Sequence, residues 1–525
     1  MSKNKNISKA GKVDKYNECP KVYAMYLPQY YQNEHNDKWW GEGYTEWTAV
    51  RKAKKLFEGH NQPVEPKDDN YYNLLDVEVM RWQAKLARDY GVDGFIFYHY
   101  YFGQKGRMEL EKPAENLLKH KDVYMPFCFC WANSSWVRSW SNIRGNNWGE
   151  KNEDYTNQGD NGILVKQEYG KEDEWGRHFD YLLPFFKDER YIRIDDKPVF
   201  IFYTPSDIYC LRSMIALWNQ LADKNGLKGI YYIGNNISYN GVGLDALMVC
   251  EPSASMNALR KNDSVEVKNG VTCIDYSAFT KTSTSFSINT KEKTYLTGVC
   301  GYDTTPRRGS NGEVLVKNSA EAFKDSMIQL LKKSLYYGNE FVAINAWNEW
   351  GEGMHLEPDK NRGLEYLEAV RCAKDIVNNT RVNEKNADVK VEDKVYDDYN
   401  NTINKYRYLY TVCSLWIDLK ASKELFFGSF LQKNNIQSVA IYGFGDLGQK
   451  LYEQLKIEKI KVLYAIDMYK GESVGHLKVY RPQDNLPEVD GVIITAYGSE
   501  EIEQMLRKKG TFKVYSVLEV LNELK

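Results

Sequence analysis

Two glutamates three residues apart, Glu349 and Glu352, are the side chains in this sequence best placed to do chemistry together. They lie in Trp347-Asn348-Glu349-Trp350-Gly351-Glu352-Gly353, directly after an apolar run. A helical turn there would put their Cβ atoms about 5–6 Å apart on one face. Retaining glycosyl transfer uses two carboxyl groups roughly 5–5.5 Å apart, one ionised and one carrying a proton. Trp347 and Trp350 are expected to supply the apolar surroundings that raise one of the two pKa values. Gly351 and Gly353 are expected to let the backbone approach a ligand. The plainer alternative is a helix start, where acidic residues favour the dipole.

Such a pair needs a scaffold to aim it. From Lys21 to Asn378 short apolar runs alternate with amphipathic helical stretches, the pattern of βαβ units. The strands are expected at Val22–Leu27, Gly94–His99, Tyr124–Trp131, Pro198–Tyr203, Gly229–Gly234, Ala246–Glu251, Thr297–Tyr302 and Glu340–Trp347. Helices are expected at Val77–Tyr90, Trp175–Phe186, Ile208–Lys224, Ala320–Tyr337 and Gly363–Val377. Eight strands with intervening helices predict an α/β fold, a (β/α)8 barrel over residues 21–378, with an open doubly wound sheet as the alternative. Residues 1–20 read as a flexible N-terminus.

Catalytic groups of a barrel gather where its strands end. Those ends carry Gln29 and Tyr30, His99 and Tyr100, Trp131 and Asn133, Tyr203, Asn235 and Asn236, Glu251, Asp303 and Arg307. The last strand adds Trp347, Asn348, Glu349, Trp350 and Glu352. Aromatic faces with amides and carboxylates suit a polyhydroxylated ligand, because sugar C–H faces stack on flat amphipathic rings.

Composition narrows the classes. Lys+Arg 70 against Asp+Glu 72 gives a net charge of -2, which offers no basic footprint for nucleic acid. Tyr 40, Trp 13 and Phe 20 mark an aromatic-rich chain. The sequence starts Met1-Ser2-Lys3-Asn4 without an apolar leader, and no run reaches the ~18 apolar residues of a membrane span. The nine cysteines are scattered; Cys128 and Cys130 read as small buried hydrophobes on one strand face. A reducing cytoplasm is the expected location. His99 and His355 lack spaced partner ligands, so no metal is expected.

Residues 379–435 read as a polar linker followed by a helical connector, with Tyr408, Val412, Leu415, Trp416 and Leu419 on one stripe. Residues 436–525 read as a second α/β unit. There Gly443, Gly445 and Gly448 follow the strand Ser438–Tyr442, and Asp467 ends the next strand, where a ribose-binding acid is expected. The unit resembles the small Rossmann-like modules appended to bacterial sugar-modifying enzymes. Its glycines read either as a nucleotide cradle or as a tight turn with close packing. A docking or oligomerisation role is the preferred reading of the module.

Six blocks carry a wider resemblance. They are Tyr26–Tyr30, Gly43-Tyr44-Thr45-Glu46-Trp47, Gly94–Tyr100, Leu110–Pro113, Pro126–Asn133 and Asn345–Gly353. Over residues 21–377 the chain resembles the WbsX-like family of bacterial surface-polysaccharide glycosyltransferases, similar in turn to the endo-α-mannosidases of glycoside hydrolase family ninety-nine. The resemblance implies a barrel needing no cofactor, with Glu46 and Trp47 joining the substrate-binding set. It also implies retention through the sugar's own 2-hydroxyl, with Glu349 as base and Glu352 as general acid/base. One position departs: the family's Glu after the third strand is Ser134 here. Three readings stay open at this point: a transferase for surface polysaccharide, an endo-acting mannosidase-like hydrolase, and a non-catalytic glycan-binding protein.

Overall fold

The computed structural model describes residues 19–137, 163–235, 243–261, 265–285, 293–379, 408–409, 411–421, 426–468, 477–497 and 499–524. Asn236, most of the expected linker and nearly all of the expected N-terminal arm lie outside them. The chain divides into two compact units between residues 396 and 397.

The first unit is built on β1 (Lys21–Tyr26), β2 (Gly94–Tyr101), β3 (Phe127–Trp131), β4 (Lys197–Phe202), β5 (Tyr231–Asn235), β6 (Ala246–Met248), β7 (Thr294–Val299, broken at Leu296) and β8 (Phe341–Asn345). Each pairs in parallel with the next, from β1–β2 through β5–β6. The first half of β7 pairs with β6 and its second half with β8, and β8 returns to β1. The ring therefore closes, as the eight-strand count predicts. The five expected helices form as Val77–Asp89, Glu172–Phe186, Leu211–Lys224, Ala320–Tyr337 and Glu365–Asn379. Local chemistry sets their ends. Ser319 Oγ accepts the Ala322 N–H at the start of Ala320–Tyr337, and left-handed Gly338 closes it.

A barrel strand is buried on both faces, so alternation of side chains decides which residues face the interior. On β3, Phe127, Phe129 and Trp131 face the helix Glu172–Phe186, touching Phe185 and His178. Cys128 and Cys130 take the opposite face, both buried. Each fully buried Phe here contributes about 1.5–3 kcal/mol by leaving water.

In the second unit five parallel strands lie in the order Val479–Tyr480, Lys461–Ile466, Ser438–Tyr442, Gly491–Ile494, Lys513–Ser516. Alternate strand residues feed two apolar layers, one holding Val439 and Ile441, the other Ala440 and Tyr442. The connector stripe joins the first layer: Val412 and Leu419 are buried with Phe427 and Phe430. At the glycine-rich turn, a Cβ on Gly448 would stand 2.1 Å from the Gly443 carbonyl oxygen, and Gly443 is left-handed at φ +87°. The Asp467 carboxylate accepts the Phe444 N–H at 2.7 Å.

Candidate active site

At the C-terminal rim of the barrel lies a cavity of about 350 Å³. From the expected set it takes Gln29, Glu46, Tyr100, Tyr203, Glu251, Glu349 and Glu352. It adds Asn36, Trp40, Tyr98, Trp136 and Asn345, which the strand-end reading passes over.

Arg307 organises the carboxylates. It sits in the short helix Thr305–Arg308, and Asp303 seats that turn. Asp303 accepts the Thr305 N–H at 2.9 Å with one oxygen and Gln62 Nε2 at 2.8 Å with the other, beside His60. Asp303 therefore faces away from the cavity, and Arg307 reaches in. Its Nε donates to Glu46 at 2.7 Å, Nη2 to Glu349 at 2.8 Å, and Nη1 to Glu352. One guanidinium thus holds three carboxylates that lie 42, 45 and 261 residues from it in sequence, through the fork geometry that lysine lacks. Burial works against the charge on Arg307, and Glu46, Glu352 and Glu349 outweigh it, so the group stays well above its ordinary value.

The turn expected at the motif forms in part, because Glu349 itself keeps non-helical backbone, with ψ 63°. Glu349 ends a two-residue strand, and Trp350–Glu352 forms one 3-10 turn. Burial pushes the Glu349 carboxyl up to about 8; Arg307 pulls it down, and Glu352 and Glu46 add to the rise. Burial also takes Glu251 to about 8, against two hydrogen bonds from Ser255 at 2.6 and 3.1 Å. Gly351 has a different reason from the one expected. A Cβ there would stand 1.7 Å from Glu46 Oε1, so the backbone yields to the Glu46–Arg307 pair rather than to a ligand. Gly353, left-handed at φ +62°, makes room for Asp303.

The remaining expected residues do not line the cavity, and each side chain is bonded within the fold. His99 faces His178, with Nε2 atoms 2.8 Å apart. Trp131 donates to the Tyr101 carbonyl at 2.8 Å, and Trp47 to the Tyr72 carbonyl at 2.8 Å. Asn133 ties β3 to β4 by bonding both the N–H and C=O of Thr204. Asn348 does the same with Leu27, and Tyr30 donates to the Asn348 carbonyl. Ser134 lies 3.2 Å from the Thr204 hydroxyl and does not line the cavity.

Trp347 and Trp350 turn away from Glu349 toward a carboxylate the sequence reading missed. Glu357 accepts Trp347 Nε1 and Gln83 Nε2 at 2.9 and 2.7 Å on one oxygen, and Trp350 Nε1 and the Tyr72 hydroxyl at 2.8 Å each on the other. Burial pushes this carboxyl up to about 7 against those four bonds. Glu357→Gln puts an N–H₂ where two donors point, so the barrel should lose about 2–4 kcal/mol, one to two kcal/mol per bond forfeited. Denaturant unfolding checks this; an unchanged barrel midpoint would contradict the hub.

Glu251, Glu349 and Glu357 all rise above the ordinary 4.5. The folded state then holds protons the unfolded chain has released. The stability they supply is complete below about pH 4.5 and is lost as pH rises through 7 to 8. Thermal midpoints should fall across that window, and Glu251→Gln should flatten the decline.

Among the described residues no group of three or more His, Cys, Asp or Glu side chains is arranged to hold a metal ion, and no helix is long and apolar enough to cross a membrane.

A closed parallel barrel with carboxylates, phenols and an arginine fork at its C-terminal rim defines the class, a (β/α)8 barrel with its candidate site at that rim. Within that class the chain belongs to the glycosyltransferase WbsX family, matched by residues 22–370. Two curated relatives, each named "Uncharacterized protein WxcX", come from strains of Xanthomonas campestris pv. campestris. Each is 30% identical over 365 residues, 67% of this chain. The chain spans about half of their length, 49%. Among solved structures, one titled "Glycoside hydrolase-like protein" is similar at TM-score 0.44 and 12% identity, covering 70% of this chain and 97% of its own. The GH99 endo-alpha-mannosidase from Bacteroides thetaiotaomicron is similar at TM-score 0.40 and 14% identity, covering 68% and 97%.

Proposed function

We propose that the protein transfers a glycosyl group with retention, in the assembly of a bacterial surface polysaccharide, through the sugar's own 2-hydroxyl. The observation that supports this most is the pairing of Glu349 and Glu352 on one guanidinium, with Glu349 the buried member raised to about 8. A general base works best with a pKa near the working pH, and a sugar hydroxyl needs a strong one.

In this reading Glu349 takes the proton of the 2-hydroxyl as its oxygen attacks C1. The bond from C1 to the leaving oxygen breaks, and Glu352 delivers a proton to that oxygen. The product of the step is a 1,2-anhydro sugar. Glu352 then takes the proton of the acceptor hydroxyl as it opens the ring at C1, and Glu349 returns the first proton to O2. Two inversions at C1 leave the configuration unchanged. Arg307 donates to both carboxyls and so keeps them beside one another through the two steps.

Incubating the protein with nucleotide-linked and lipid-linked sugars, with and without glycan acceptors, tests the reading. Acceptor-dependent product supports transfer. Release of free sugar at the same rate without acceptor would replace transfer by hydrolysis at the same two carboxyls.

A further inference from the structure

The cavity is lined in part by buried polar atoms that have no partner among the described residues. Asn36 is the one buried residue of the helix Glu34–Trp40, with 0% exposure. Its backbone N–H is capped by Asn33 Oδ1 at 2.8 Å, yet its side-chain Nδ2 and Oδ1 both lack a partner among the described residues. Trp136, 6% exposed, likewise has no partner for its indole Nε1 among the described residues. Both residues line the cavity that holds Glu349 and Glu352, together with Trp40 and Tyr100. Tyr100 meets the Trp136 ring edge-on, with centroids 5.2 Å apart.

Buried amides and indole N–H groups are ordinarily paired, because an unmet one costs free energy. Two side chains that line the same cavity and carry three unmet atoms read as groups kept for a ligand. Their chemistry describes it. An amide offers both a donor and an acceptor, the combination that hydroxyl groups satisfy, and the indole adds a second donor. Aromatic rings beside them suit C–H faces. The unmet atoms are neutral amide and indole groups, which suit neutral hydroxyls.

We propose that Asn36 and Trp136, walled by Trp40 and Tyr100, form a subsite for an uncharged pyranose ring beside the Glu349–Glu352 pair. The proposal rests on the glycosyl-transfer reading of that pair and adds where a sugar unit is held. It makes Asn36 and Trp136 specificity-determining residues.

The test uses the full-length chain labelled with nitrogen-15, following two N–H resonances: Trp136 Nε1, assigned by its loss in Trp136→Phe, and Arg307 Nε, assigned by its loss in Arg307→Lys. The probes are the methyl α-pyranosides of mannose, glucose, galactose and rhamnose. At least one should shift the Trp136 resonance. Asn36→Leu, of similar size and needing no partner, should weaken that glycoside about tenfold, as loss of a hydrogen-bonded contact does. The same variant should unfold at the same or a higher temperature, since it removes an unmet amide. Trp136→Phe keeps the ring and should also weaken binding. A glycoside that moves Arg307 Nε and leaves Trp136 untouched would overturn the subsite and leave the catalytic reading standing. Asn36→Leu that unfolds earlier and binds unchanged would show the amide to be structural, and would overturn it too. If no glycoside moved either resonance, both readings would fall.

Discussion

Arg307→Met will shift the pH profile of turnover upward and cost the protein both activity and stability. The guanidinium is the largest influence pulling the Glu349 carboxyl down from the rise that burial imposes. Without it, Glu46, Glu349 and Glu352 face one another with no positive charge in hydrogen-bonding reach, and Glu349 climbs beyond about 8. The acid-side limb of kcat/KM, which reports the free enzyme's base, should then move to higher pH. At pH 7 the loss should be roughly hundredfold or more, since misplacing catalytic groups by about 1 Å has that effect. Removing one partner of a buried ion pair costs about 3–5 kcal/mol. The lower end applies here, because Arg307 is 23% and Glu352 28% exposed. Arg307→Lys keeps the charge and loses the fork, so it should fall between the two. A profile that does not move in Arg307→Met would show that the guanidinium does not set the base.

The second large effect separates the two glutamates. Glu349→Gln and Glu352→Gln should each lower turnover about 10²–10⁴-fold, the usual worth of a positioned acid or base. Their response to leaving group should differ. A dinitrophenyl leaving group needs no proton, so it should restore the first step in Glu352→Gln. It should not rescue Glu349→Gln, where the 2-hydroxyl has lost its base. Equal rescue of both variants would remove the distinction between the roles.

Much of the scaffold is legible in the residues. Strands buried on both sides read as continuous apolar runs, and Phe127–Trp131 is such a run, so existence and order of the barrel strands follow. The same property hides which face looks inward. Nothing in Tyr98-His99-Tyr100 marks the parity, and choosing His99 missed Tyr98 by one residue. The two motif glutamates are legible because their spacing is local. Their partners are not: Arg307 and Glu46 come to them across 42 and 303 residues, joined only by the closed ring. Glu357 escaped for the same reason, since two of its four donors, Gln83 and Tyr72, come from far up the chain. Asn36 gives no periodic signal, because a lone polar residue in a seven-residue helix looks like surface until its burial is known.

The central claim is that the nucleophile at C1 belongs to the substrate. Comparing a donor with its 2-deoxy analogue under identical conditions tests it most directly. Removing the 2-oxygen makes the bond at C1 intrinsically easier to break, so an enzyme using its own nucleophile or an external one should turn the analogue over. The account predicts that the 2-deoxy donor binds and gives no product, while the parent donor gives product of retained configuration. Turnover of the 2-deoxy donor at a rate comparable to the parent would contradict it.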